Sequence, residues 1–367
     1  MLRFWATQEK AEREFFVKYT KIVQIYHPCF IFDEIGRGTA SAVVGCPVPP
    51  YFVKKEQFTM KTIKLGKSNV DVPVIAVGCM RMADKSVEEA RAFLDTAMGA
   101  GLNFFDHADL YGGGKSEEIF SKAIGMNDDV REKIILQSKC GICPGKVMFD
   151  FSKEHIIKST EGILKRLNTD YLDFLLLHRP DTLYEPEEVA EAFALLKDSG
   201  KVKHFGVSNQ NPMQMRLLQK YLGDEPICAN QLQFSITDCH IVKQGLYVNM
   251  REDNAIDRDG GVLEYCRYED ITIQAWSPFQ YGFFEGVYVD NPDFPEINAK
   301  LQELADKYGV SKNTIVIAWI LRHPAKMQPL TGTMNPQRLL ECAAATDITI
   351  TKQEWYEIFS SAGNVIP

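Results

Sequence analysis

The stretch Phe104-Phe105-Asp106-His107-Ala108-Asp109-Leu110-Tyr111 places a carboxylate and a phenol five residues apart, just past an apolar run. On one loop the two groups can be brought together, and Tyr111 can then give up a proton if its surroundings lower its pKa from the reference value of ~10. Two simpler roles stand beside this one: Asp106 as the cap of the following turn, and Tyr111 as a core aromatic with a hydrogen-bonded tip. Gly112-Gly113-Gly114-Lys115-Ser116 imitates a phosphate-binding loop, but that motif needs glycine at position 109, which is Asp109 here, so we reject it.

These residues need a scaffold that presents strand ends. Leu102 to Phe105 reads as a buried strand and Ser116 to Ile124 as the helix after it, the place where parallel α/β folds keep their active sites. Thr62 to Leu65 and Asn69 to Val72 read as a small hairpin, and from there strand and helix patterns alternate to the C-terminus. Helices are expected at 87–98, 153–167, 186–197, 212–221, 261–267, 296–308, 314–321, 337–345 and 352–361, with 235–260 as a long polar loop. Tyr171 to Leu177 is almost wholly apolar, as in a sheet covered by helices. About eight such repeats favour an α/β fold of the (β/α)8 TIM-barrel type with an N-terminal β-hairpin. No Gly-x-Gly-x-x-Gly follows the first strand, so a Rossmann fold lacks its fingerprint. In a barrel the later strand ends share one rim, and they offer Lys139, His178, Ser208-Asn209, Asn230-Gln231 and Trp276-Ser277-Pro278.

Composition sets the outer bounds. A net charge of -8 argues against a general affinity for nucleic acid, and no apolar run approaches the ~20 residues that span a bilayer. Nine cysteines without a secretory signal read as reduced thiols of a cytoplasmic protein. Cys140-Gly-Ile-Cys143 has redox spacing, but Pro144-Gly145 denies it a helix start and no second pair completes a zinc site, so no metal is expected. Residues 1–59 do not share the alternating pattern of the rest of the chain. They are expected to be an appendage, poorly ordered or outside the native protein, with the compact domain running over 60–367.

From about Met60 onward the chain resembles the aldo-keto reductase family through FFDHADLYG, LQSKCG, LLLHRPD, GVSN, NQLQFS, AWSPF and GTMNPQRL. The resemblance implies a catalytic tetrad of Asp106, Tyr111, Lys139 and His178. It also implies an NADP(H)-dependent reduction of aldehydes or ketones, with Tyr111 as proton donor and NAD(H) as the alternative cofactor. By the same resemblance Ser208, Asn209 and Gln231 hold the nicotinamide carboxamide and Trp276 stacks on the ring. Ser277 and Pro278 follow the pyrophosphate, Thr333 and Arg338 meet the 2'-phosphate, and Glu341 lies near the adenosine. Gly332 stands where many members carry lysine, and Cys342 where asparagine is common. Losing a cation at Gly332 weakens the case for NADP(H), while Arg338 keeps it ahead. The alternative is a non-catalytic accessory or sensor subunit that uses the cofactor as a ligand. Substrate-pocket walls are expected from the aromatic-rich loops 235–260 and 279–295, which leaves the carbonyl substrate and the oligomeric state open.

Overall fold

The structure, a computed structural model, describes residues 60–251 and 253–367; the expectation for residues 1–59 lies outside the described residues. Eight parallel strands close into a barrel: β1 (Ala76–Gly78), β2 (Phe104–Asp106), β3 (Ile135–Cys140), β4 (Leu172–Leu177), β5 (Val202–Ser208), β6 (Ile227–Gln233), β7 (Thr272–Trp276) and β8 (Gln328–Thr331). Each strand pairs with its sequence neighbours, and β8 closes the ring by pairing with both β7 and β1. The large helices sit outside. β4 is buried at every position, because helices cover one face and interior side chains fill the other.

Local sequence explains most boundaries. Ser86 opens the helix Val87–Gly99 with a capping box, accepting from the Glu89 amide while the Glu89 carboxylate accepts from the Ser86 amide. Prolines occupy the first helical positions of Pro186–Asp198, Pro212–Leu222, Pro295–Tyr308 and Pro336–Ala343. Two of these helices therefore start one residue earlier than periodicity alone suggests, since a proline loses nothing where its amide would be unpaired anyway. The stretch read as a polar loop over 235–260 contains a further helix, His240–Leu246. Only two of its residues, Ile241 and Val242, are buried, so its apolar stripe was too narrow to register as a period.

The N-terminal hairpin pairs Thr62–Lys64 with Asp71–Pro73. Its second strand begins two residues later than expected because Gly66–Ser68 forms a 3-10 turn and Asn69 adopts a left-handed φ of 60°. The hairpin plugs the N-terminal end of the barrel: Leu65 and Val72 pack with Ala76, Phe104, Phe174, Leu176, Cys228 and Leu330 in a core cluster separate from the larger one beneath the helices. Gly66 makes this approach possible, since a Cβ there would lie 2.2 Å from the Cys228 carbonyl oxygen. The C-terminal ends of the strands are left to carry chemistry. No described helix is long and apolar enough to cross a membrane.

Candidate active site

Side chains alternate along a strand, so residues two apart face the same way. Lys139 follows this rule from Gln137 on β3, and Asp106 follows it from Phe104 on β2. The fold brings Asp106, Lys139 and Tyr111 together at the C-terminal mouth. The Lys139 ammonium donates to Asp106 Oδ2 at 2.7 Å, to the His107 carbonyl at 2.7 Å and to the Tyr111 hydroxyl at 3.2 Å. Lysine has three protons to donate, and all three are engaged. The pair is sealed, with Lys139 at 0% and Asp106 at 2% side-chain exposure.

Below this triad lies a layer of glutamine amides. Asp106 Oδ1 accepts from Gln137 Nε2 at 2.6 Å and from Gln231 Nε2 at 3.1 Å. Gln274 links Gln137, Gln231 and Gln328, and Gln328 Nε2 ends the chain on the Pro73 carbonyl at 2.7 Å. The layer thus runs from the reacting mouth to the hairpin plug. Every carboxylate lone pair so held stays fixed without water, which is how a buried charge is tolerated.

Burial alone would lower the Lys139 pKa, but the Asp106 carboxylate and the Tyr111 hydroxyl outweigh it and hold the ammonium above its ordinary value. Burial pushes the Tyr111 phenol up, and Lys139 only partly offsets this. The condition set on sequence grounds, that its surroundings lower the Tyr111 pKa, is not met by the protein alone: desolvation exceeds the cation's pull, and the hydroxyl keeps its proton. The His178 ring meets the Tyr111 ring edge-on at 6.0 Å between centroids. Burial, then Lys139 and Arg179, hold that imidazole well below its usual range, so it is neutral. Its Nδ1 is buried without a partner among the described residues. The neighbouring His107 serves Lys139 by its carbonyl, not its ring. That ring is fully buried edge-on to Phe120, and burial followed by Lys139 lowers its pKa to about 3.

The remaining expected residues lie along the rim. Ser208 Oγ donates to the Gln231 carbonyl at 3.0 Å and accepts from Asn209 Nδ2 at 2.7 Å. Asn209 Oδ1 accepts from Trp276 Nε1 at 3.2 Å, which joins β5 to β7. Phe284 stacks on Trp276 at 5.7 Å and 18°. Ser277 Oγ donates to Gln280 Oε1 at 2.5 Å, and the Pro278 carbonyl accepts from Tyr288 at 2.8 Å. On the β8 side, Thr333 Oγ1 accepts from the Asn335 amide at 3.1 Å. Arg338 lies exposed in the first turn of Pro336–Ala343, with its amide bonded to the capping Asn335. Glu341 is tied to a neighbouring helix, its carboxylate accepting from Asn313 Nδ2 at 2.7 Å.

Two rim cations were given no role on sequence grounds. Arg81 reaches from the loop after β1 and donates to the Gly332 carbonyl at 2.8 Å. Arg179 lies with its guanidinium 5.6 Å from the Trp276 ring centroid and 5.7 Å from that of Phe283. Arg179 comes directly after His178, so its position was readable, whereas no local signal links Arg81 to Gly332 across the barrel.

Comparisons with known proteins identify the family. The Aldo/keto reductase family model matches residues 74–362. An uncharacterised oxidoreductase of Bacillus subtilis, YcsN, is 34% identical over 283 residues, covering 74% of this chain and 88% of the relative. A 6-dehydroglucose reductase of Agrobacterium fabrum is 33% identical over 289 residues, covering 76% of this chain and 90% of the relative. Among solved structures, the thermostable aldo-keto reductase Tm1743 in complex with the inhibitor epalrestat is similar at a TM-score of 0.66 and 26% identity, covering 82% of this chain and 100% of that one. A closed eight-stranded barrel, matched by the family model across nearly all of its described length, places the chain in the aldo-keto reductase family, whose members are oxidoreductases that act on carbonyl compounds with a nicotinamide cofactor.

Proposed function

We propose that this protein is an NADP(H)-dependent reductase of aldehydes or ketones in which Tyr111 protonates the carbonyl oxygen. The observation that carries this reading is the Lys139 ammonium, bonded at once to Asp106 and to the Tyr111 hydroxyl. When bound, the reduced dinucleotide supplies a hydride to the carbonyl carbon, so negative charge builds on the oxygen. Tyr111 begins protonated and gives its proton to that oxygen, and Lys139 stabilises the phenolate left behind. Asp106 keeps the ammonium in place. The neutral His178 ring supplies a hydrogen-bond donor that fixes the carbonyl's approach and favours the charge as it develops.

The rim suits a phosphorylated dinucleotide. Arg338 makes no ion pair among the described residues. Gly332 has no side chain, and a Cβ there would stand 3.2 Å from the Arg81 guanidinium. The cation missing at position 332 would therefore be supplied by Arg81, bonded at Gly332 next to Thr333, with Arg338 exposed in the first turn of the helix that follows. Their planar forks are suited to phosphate oxygens, which favours NADP(H) over NAD(H). Ser208, Asn209 and Gln231 would hold the carboxamide. Phe284 takes one face of Trp276, so the nicotinamide would use the other. Ser277 and Pro278 would lie along the pyrophosphate, with Glu341 at the adenosine end.

Arg179 bears on the substrate. It has no carboxylate partner among the described residues, burial lowers its pKa, and it borders Tyr111 and His178. Such a guanidinium suits a substrate carrying hydroxyl or carboxylate groups, and the 33% identity to a 6-dehydroglucose reductase points the same way. An oxidised sugar is the first compound to assay. NADPH consumption with such carbonyls, run in parallel with NADH, tests the reading. Tight NADPH binding without turnover of any carbonyl would replace it with the sensor role.

A further inference from the structure

The loop between β3 and the helix Lys153–Leu167 holds a second group of reactive side chains. We infer that Cys143, Asp150 and His155 form a binding site for a zinc-type divalent cation, with water as fourth ligand. Their donor atoms all lie within 4.8 Å of one another, and His155 Nδ1 is 3.8 Å from Asp150 Oδ2. In a four-coordinate zinc site, donor atoms stand roughly 3.5 Å apart around bonds of ~2.0–2.3 Å. Closure by about an ångström on an exposed loop satisfies that geometry. One thiolate, one imidazole and one carboxylate is a borderline-soft set suited to zinc rather than to magnesium or calcium.

Local structure prepares each ligand. Residues 142–149 fold back as a hairpin, with an Ile142–Phe149 bridge and a Cys143 amide to Met148 carbonyl bond of 3.3 Å. This brings Cys143 beside Asp150, seven positions on in sequence. Asp150 Oδ1 accepts from the Ser152 amide at 2.9 Å, which orients the carboxylate and leaves Oδ2 toward His155. The Ser152 side chain caps the helix by accepting from the His155 amide, fixing the backbone that carries the imidazole. His155 Nε2 lies 3.2 Å from Ser159 Oγ. With Nε2–H donating there, Nδ1 presents its lone pair to the site, the usual outer-shell device of metal-bound histidine.

A nucleophilic relay fits worse. It would need the thiol on one ring nitrogen and the carboxylate on the other, but Ser159 occupies Nε2. Burial and then Asp150 also push the Cys143 thiol up, so the free thiol keeps its proton. A bound cation would displace that proton to solvent and take the thiolate. Cys140 and Cys143 have redox spacing but were not expected to act as a pair, and the fold places Cys140 in the main apolar core and gives Cys143 different neighbours. Occupancy would also stiffen the active-site rim, because the Phe151 amide donates to Asp181 Oδ2 at 3.1 Å, on the loop that carries His178.

The test is cobalt titration of the full chain, followed by zinc competition. One equivalent of Co2+ should give a thiolate-to-cobalt charge-transfer band and the strong visible bands of a four-coordinate site, and zinc should remove both. Cys143→Ser, an almost isosteric change, should abolish the charge-transfer band, and His155→Gln should abolish the four-coordinate spectrum. Ser159→Ala should weaken affinity by roughly 10–100-fold. Circular dichroism confirms that each variant folds; should His155→Gln not fold, the cysteine and serine variants decide. Absence of any band, or a band that survives Cys143→Ser, would overturn the assignment, the latter pointing to cysteines elsewhere in the chain.

Discussion

The floor of the candidate site and its rim are built on opposite principles. On the floor, Asp106, Lys139 and the four glutamines are buried and bonded to one another before any ligand arrives. At the rim, Arg338 is exposed and unpaired among the described residues, Arg81 holds only a carbonyl, and Trp276 is partly open. The floor is preorganised, so its donors need no rearrangement as charge develops on a substrate. The rim keeps its cations uncommitted, so the electrostatic gain is left for a ligand. Damage to the floor should therefore reduce chemistry or stability, while damage to the rim should reduce affinity and selectivity.

The largest expected effect tests the floor. Tyr111→Phe removes one hydroxyl and leaves the Lys139–Asp106 pair intact. Carbonyl reduction should fall on the order of 10^2–10^4-fold in kcat. Quenching of Trp276 fluorescence by NADPH should be nearly unchanged. Comparable losses in both measurements would mean that floor and rim are not separable.

Lys139→Met comes next and tests whether the floor is structural as well as chemical. It leaves the Asp106 carboxylate buried without its cation. Breaking a buried pair from one side costs ~3–5 kcal/mol, so chemical denaturation should show a loss of that order. A variant as stable as the parent would show that the glutamine amides alone hold the charge.

At the rim the expected effects are smaller and selective. Arg81→Ala and Arg338→Ala should each raise the KM for NADPH roughly tenfold, about 1.4 kcal/mol, with little change for NADH. Added salt should shrink the difference between parent and variants, since both groups face solvent. An effect from Arg338 but none from Arg81 would remove the compensation assigned to Gly332.

This contrast also marks what could be read from sequence. Strand ends were legible because apolar runs break abruptly into Asp106, Lys139 and His178, and a barrel topology forces such ends onto one rim. The capping Ser86 and the prolines Pro186 and Pro212 made their helix starts legible, and hydrophobic periodicity brought others to within a residue or two. The glutamine layer was not legible, because Gln137, Gln274 and Gln328 look like ordinary polar strand residues until the barrel closes and turns them inward. Arg81 at Gly332, and Cys143 beside His155, depend on long-range packing or a hairpin fold-back that local periodicity does not encode. The net pKa direction of Tyr111 depends on desolvation, which has no local sequence signature.

Asp109 sharpens the comparison at the seam between the two regions. Its amide donates to the Lys139 carbonyl at 3.0 Å, so its backbone belongs to the floor. Its Oδ1 is buried without a partner among the described residues, and burial followed by the nearby Glu117 raises its pKa from 3.8 to about 7. The folded protein therefore binds a proton between those values that the unfolded chain does not. The resulting stabilisation is complete below the unfolded pKa and is lost as pH rises through about 7. Each unit of difference corresponds to ~1.4 kcal/mol, discounted here because Asp109 is partly exposed and solvent screens it. Asp109→Asn removes the titration while keeping shape. Thermal melts at pH 4 and pH 8 should show the variant gaining on the parent as pH rises, by on the order of 1 kcal/mol or more at the higher pH and little at the lower, which lies close to the unfolded pKa. Equal gains at both would mean that Asp109 is charged throughout and that the preorganised floor extends beyond Lys139 to include it.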